Sequence, residues 1–209
     1  MKNRLLIFCI ICVSVFVLSG CSSPTPAKHE YRLQSDIKIF KSVKTSCATQ
    51  TLKVDRAFGA REYSSLKMYY VIGKYTQYAY ANSRWAQSVN DAVTKEIVEY
   101  LREITLFKSV QNANSKTAND MRLEITIDDF MHYFDENEKN SYVNVIITCN
   151  LIDENTHKTV AIKTFHVNMK TDSDDARGGV IALNKALERI VKECGLWLKG
   201  VCIDRRKRV

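Results

Sequence analysis

Proline is almost absent from this chain: there are two in 209 residues, Pro24 and Pro26, and both fall within Ser22 to Glu30. That stretch reads as a tether rather than as part of a fold. No G-x-S-x-G, no H-E-x-x-H and no phosphate-cradling glycine loop occurs, which removes the commonest hydrolase, zinc-protease and nucleotide-binding signatures. Beyond the N-terminal apolar run and the Cys21 that follows it, the four cysteines Cys47, Cys149, Cys194 and Cys202 show no Cys-x-x-Cys spacing of a structural metal site. The longest uncharged apolar run, Leu5 to Leu18, has 14 residues, fewer than the roughly 20 that a bilayer-spanning helix needs. A basic stripe is lacking too. The formal charge is +8, but four cations sit together at Arg205-Arg206-Lys207-Arg208, and the nearly balanced body has no nucleic-acid footprint.

What is present begins at the N-terminus. Lys2 and Arg4 precede the apolar run, and Leu18-Ser19-Gly20-Cys21 follows it. A positive head, a short apolar segment and small residues before the cut make a secretory signal. The last four residues resemble a bacterial lipobox, in which the cysteine thiol is acylated and becomes the first residue. The expectation is a signal peptide over 1–20, with covalent diacylglycerol and an N-acyl chain (palmitate-type) on Cys21. A tether follows over 21–30, a single domain over 31–203 and a basic tail over 204–209. Two or three acyl chains anchor a protein stably where one does not. The tail is either solvated or a contact for anionic headgroups. Removing 20 of 209 residues leaves 189, enough for one domain with a real core.

Hydrophobic periodicity divides the domain. Thr51 to Phe58 alternates, a strand signal. Leu66–Ile72 and Tyr75–Tyr80 flank Gly73-Lys74 as a hairpin or one bent strand. From Trp85 the apolar residues Val89, Val93, Ile97 and Leu101 recur every four positions. They predict an amphipathic helix from Ser83 to about Ile104, capped by Asn82 or Ser83, with Trp85 opening it on the core side. "QNANSKTAND" reads as a polar loop. Met121–Phe130, Val143–Leu151 and Val160–Met169 alternate around the turns "DENEKN" and "DENTHK", predicting an antiparallel meander. A last helix follows the 3.6 period from Val180 to Leu198, with Gly178-Gly179 weakening its first turn. The expected fold is α+β: a mostly antiparallel sheet of about five to six strands with two amphipathic helices on one face.

Side chains that carry chemistry are sparse. His29, His132, His157 and His166 are scattered, with His132 and His166 able to meet across the sheet. Asp172, Asp174 and Asp175 suit a helix N-terminus. Cys47, Cys149, Cys194 and Cys202 admit three full disulfide pairings, or free buried thiols. The denser feature is aromatic. Tyr63, Tyr69, Tyr70, Tyr75, Tyr78, Tyr80 and Trp85 fall within 23 residues. Clustered tyrosines suit a protein interface or a plain sheet surface. The outward members of Tyr69, Tyr70, Tyr75 and Tyr78 are the candidate partner-binding residues.

"YRL" at Tyr31–Leu33, "YSSLKMYYV", "YTQYAYANSRWAQSVNDAVTKEIVEYL" and "VIALNKALERI" resemble the ABC-type transport auxiliary lipoproteins. The resemblance rests most on Leu66 to Leu101, with Asn82-Ser83-Arg84-Trp85 matching an N-x-x-W-like motif. This chain lacks the proline that the family usually carries before its aromatic strand. The resemblance implies a non-enzymatic periplasmic lipoprotein without catalytic residues or cofactor. It implies partners in an MCE-domain protein and an ABC transporter permease and ATPase, which together move lipids between two membranes. Sister copies of the chain are a further docking option. Only Cys21 transfers from the family residue by residue, and Ser22 resembles the outer-membrane sorting signal. The rival reading is an interaction lipoprotein of another envelope assembly, in secretion or outer-membrane biogenesis; a periplasmic enzyme ranks third.

Overall fold

The computed structural model describes residues 27–35 and 45–206, without the side chains of the last two. Cys21, the signal segment and most of the tether lie outside the described residues. Three long alternating strands form the centre: β7 (Met121–Phe134), β8 (Ser141–Asp153) and β9 (Lys158–Lys170). They pair antiparallel, Leu123 opposite Leu151 and Ile147 opposite Phe165, as the two polar turns predict. Met121, Leu123, Ile125 and Ile127 of β7 and Val143, Val145, Ile147, Cys149 and Leu151 of β8 are buried. Period-two alternation puts each set on one face.

The other edge of β7 corrects the expectation. Three separate short pieces line it, all parallel to β7: β2 (Thr51–Val54), β3 (Phe58–Gly59) and β4 (Lys67–Ile72). β2 also pairs parallel with β6 (Ser109–Asn112), whose last two residues fall in the stretch expected to be a loop. β4 pairs antiparallel with β5 (Thr76–Trp85), confirming the hairpin. β5 is joined in parallel by β1 (His29–Tyr31). The result is a mixed sheet of nine strands among the described residues, neither mostly antiparallel nor limited to five or six.

Both helices lie on the apolar face. The first, α1 (Val89–Glu103), begins later than the periodicity predicts. Its cap is Ser88, whose Oγ accepts from the Asp91 N–H at 3.2 Å, and the Asp91 carboxylate accepts from Ser88 Oγ at 2.6 Å. Trp85 instead ends β5, and it is buried as expected at 4 % exposure. The second helix, α2 (Ala176–Arg206), starts before Val180 and takes in the first residues of the basic tail. Asp175 Oδ1 accepts the Gly178 N–H at 2.7 Å, so the acidic cluster does supply a helix cap. The helices cross at Gly195, where a Cβ would stand 2.4 Å from Cε1 of Tyr100.

The chain before β2 straps these helices. Leu33 is buried. The Gln34 N–H donates to Asn184 Oδ1 on α2 at 2.7 Å, and the Ser35 N–H donates to Glu96 on α1 at 2.8 Å. Farther along the chain, Cys47 forms a disulfide with Cys202, near the far end of α2. Cys149 and Cys194 are free and buried, their sulfurs 3.8 Å apart between β8 and α2. One disulfide and two core thiols thus replace the open pairings.

Candidate functional site: the tyrosine hairpin

The hairpin turns at Gly73, whose φ of +62° suits glycine. Its register places Tyr70 opposite Tyr78 and Tyr69 opposite Ala79, so Tyr69 and Tyr70 face opposite sides, as alternation requires. Tyr70 stacks on Tyr78 with ring centroids 5.6 Å apart, lies 4.4 Å from the Tyr80 ring and meets the edge of Phe134 at 5.5 Å. It is half-buried behind Tyr78, which is 47 % exposed. Tyr75, in the turn, is 94 % exposed. Tyr69 is half-buried on the opposite side and lines a cleft of about 560 Å³ with Arg61, Glu62, Ser64, Ser65, Lys67 and Gln77. Of the four candidate tyrosines, only Tyr75 and Tyr78 present most of a ring or a large part of one to solvent.

Beneath this hairpin lies a residue group that the sequence did not bring together. His132 of β7 sits under the first turn of α2, where a Cβ on Gly179 would come within 2.4 Å of its Nδ1. That nitrogen shares a 2.8 Å hydrogen bond with the Tyr80 hydroxyl. His132 Nε2 has no hydrogen-bond partner among the described residues. Burial lowers the His132 pKa to about 4, against the opposing charges of Asp174 and Asp175. Burial likewise pushes the Tyr80 hydroxyl up. A neutral histidine under Gly179 is a packing device.

His166, expected to meet His132, lies on the opposite face. It is exposed, and its Nε2 bonds Asn144 Oδ1 at 2.7 Å. Asn144 in turn donates to Asp129 Oδ2 at 2.7 Å, and Tyr133 donates to the same oxygen at 2.8 Å. This array is open and its groups satisfy one another. Among the described residues, no three His, Cys, Asp or Glu side chains are grouped to hold a metal ion, and no helix is long and apolar enough to cross a membrane. The site offers aromatic contact surface rather than an arranged acid, base and nucleophile.

Comparison with solved structures bears on the fold. Protein XCC0632 from Xanthomonas campestris superposes with a TM-score of 0.75 at 17 % identity, covering 86 % of this chain and 99 % of its own. A structure titled only as an uncharacterized protein gives a TM-score of 0.62 at 14 % identity, covering 82 % of this chain and 99 % of its own. At these identities the likeness is one of fold. No curated protein matches the chain in sequence. Residues 64–194, which contain the hairpin, both helices' cores and the meander, match the family model of the ABC-type transport auxiliary lipoprotein component. This chain belongs to that family.

Proposed function

We propose that the protein is a non-enzymatic, lipid-anchored auxiliary component of an MCE-type lipid transport system. It is held to the membrane through acylated Cys21 and faces the periplasm, with the outer membrane favoured by Ser22. The observation that carries the reading is the match across residues 64–194 to a family described as a transport auxiliary lipoprotein component. The domain's output is then docking, and the exposed ring of Tyr78, backed by Tyr70, is the contact for the MCE-domain protein or the ABC permease and ATPase. Tyrosine adds area with few rotatable bonds and a polar tip, which interfaces favour.

The test is affinity capture of the lipidated protein from detergent-solubilised membranes, for the wild type and for Tyr78→Ala and Tyr69→Ala. The reading predicts recovery of MCE and ABC components, reduced by Tyr78→Ala and kept by Tyr69→Ala. Recovery of secretion or outer-membrane biogenesis proteins instead would replace it with the rival envelope role. Unchanged fatty-acid labelling of Cys21→Ala would remove the anchor.

A further inference from the structure

A tyrosine that is 94 % exposed at a turn, Tyr75, has no role in the fold. The opposite edge of the hairpin says what it faces. β1 runs parallel to β5, with His29 opposite Ser83 and Tyr31 opposite Trp85. The chain therefore approaches His29 from the side on which the hairpin turns. Cys21 stands eight residues before His29, and Tyr75 stands eight residues before Ser83. A chain spans at most about 3.3–3.6 Å per residue, so the leash from Cys21 to His29 is no longer than about 29 Å. Eight strand residues cover about 27 Å. The longest reach of the leash is thus about the length of the hairpin arm.

From this we infer that the hairpin tip rests in the bilayer interface, with Tyr75 at headgroup depth. The inference depends on the acylation of Cys21 proposed above. An anchor on this side can hold the membrane no more than a few ångströms beyond the tip. Tyrosine has an apolar ring and a wet hydroxyl, the combination enriched at membrane–water interfaces. The adjoining turn fixes the lipid chemistry. The Gly73 N–H donates to the Phe134 carbonyl at 3.0 Å, which brings Asp135, Glu136 and Glu138 to the same end, against Lys74 and Lys139. A surface with more carboxylates than cations suits the ammonium of phosphatidylethanolamine rather than an anionic headgroup. Partner contact is left to Tyr78, one turn of alternation back from the tip.

The experiment uses the full lipidated chain in phosphatidylethanolamine–phosphatidylcholine vesicles containing brominated lipid. Fluorescence is compared for Tyr75→Trp and Phe58→Trp after subtracting the wild type, which carries Trp85 and Trp197. Phe58 is 74 % exposed but lies beside Thr126, eight positions along β7 from Phe134. The expected result is a blue shift and roughly twofold quenching for Tyr75→Trp, none for Phe58→Trp, and no gain on adding phosphatidylglycerol. Vesicle-bound Tyr75→Trp that stays unquenched overturns the inference and gives the tip to a protein partner. Protein that does not float with vesicles overturns the anchor itself, and the inference with it.

Discussion

Tyr63 shows how much one side chain carries here. β3 leaves the edge of β7 at Ile127 and β4 joins it only at His132, with a register shift between Ile127 and Asp129. In that gap the Tyr63 hydroxyl accepts the Phe130 N–H at 3.0 Å, replacing the strand that is not there. Burial pushes its pKa up, with the nearby Asp129 charge adding to the effect. Tyr63→Phe keeps the ring and orphans a buried N–H, which costs about 1–3 kcal/mol; denaturant unfolding with unchanged slope is the check. His132 gives a pH signature. Its pKa falls from 6.5 to about 4 on folding, so the unfolded chain binds the extra proton between those values. Stability is full above about pH 6.5 and declines toward pH 4, at up to about 1.4 kcal/mol per pH unit. His132→Asn should flatten the melting temperature across that window. Neither role was legible in the sequence. Alternation correctly put Tyr69 and Tyr70 on opposite faces, but which ring is covered depends on Phe134 and Tyr80, brought in by non-local pairing.

At the scale of elements, patterns confined to one segment were readable and contacts between segments were not. The meander and the hairpin were legible because each has its own alternation and turn residues. β6 was not: Ser109–Asn112 contains one buried apolar residue, Val110, and becomes a strand through β2. The parallel alignment of β2, β3 and β4 on β7 leaves no local mark, which is why the sheet looked antiparallel. The helix start was misread because inward residues of β5, ending at Trp85, stand four positions before Val89 and prolong the helical spacing across Ala86–Ser88. The cap itself, Ser88-x-x-Asp91, was on the page. The helix crossing yields a prediction of its own. Gly195→Ala sets a methyl against the buried Tyr100 ring, and overpacking of this kind costs about 1–3 kcal/mol. Gly200→Ala, with open space around it, should be neutral or stabilising by thermal melt.

Across the whole molecule, the Cys47–Cys202 disulfide and the long helix tie distant parts of the chain together. The disulfide between Cys47 and Cys202 closes a span of 155 residues, which in the chain-entropy model contributes up to about 5 kcal/mol. Reduction, or Cys47→Ser, should lower the unfolding free energy by about 2–5 kcal/mol, while Cys149→Ala should move it far less than this. The first turn of α2 covers His132 beneath the hairpin, and its last residues lie at the other end of a 31-residue helix, about 45 Å away at 1.5 Å per residue. If the hairpin tip rests on the anchoring membrane as proposed, the last turn of α2 lies at the remote end of the helix. Deleting 205–209 should therefore leave vesicle binding of the lipidated protein unchanged. The central proposal is that a lipid-held domain works by docking through its tyrosine hairpin. It is tested most directly by placing a photo-crosslinking residue at Tyr78 in living cells, with a second at His166 on the opposite sheet face, and identifying the adducts by mass spectrometry. The account predicts adducts to MCE or ABC transport components from position 78 and not from 166. The same adducts from both positions, or none from 78 while 166 captures them, would contradict it.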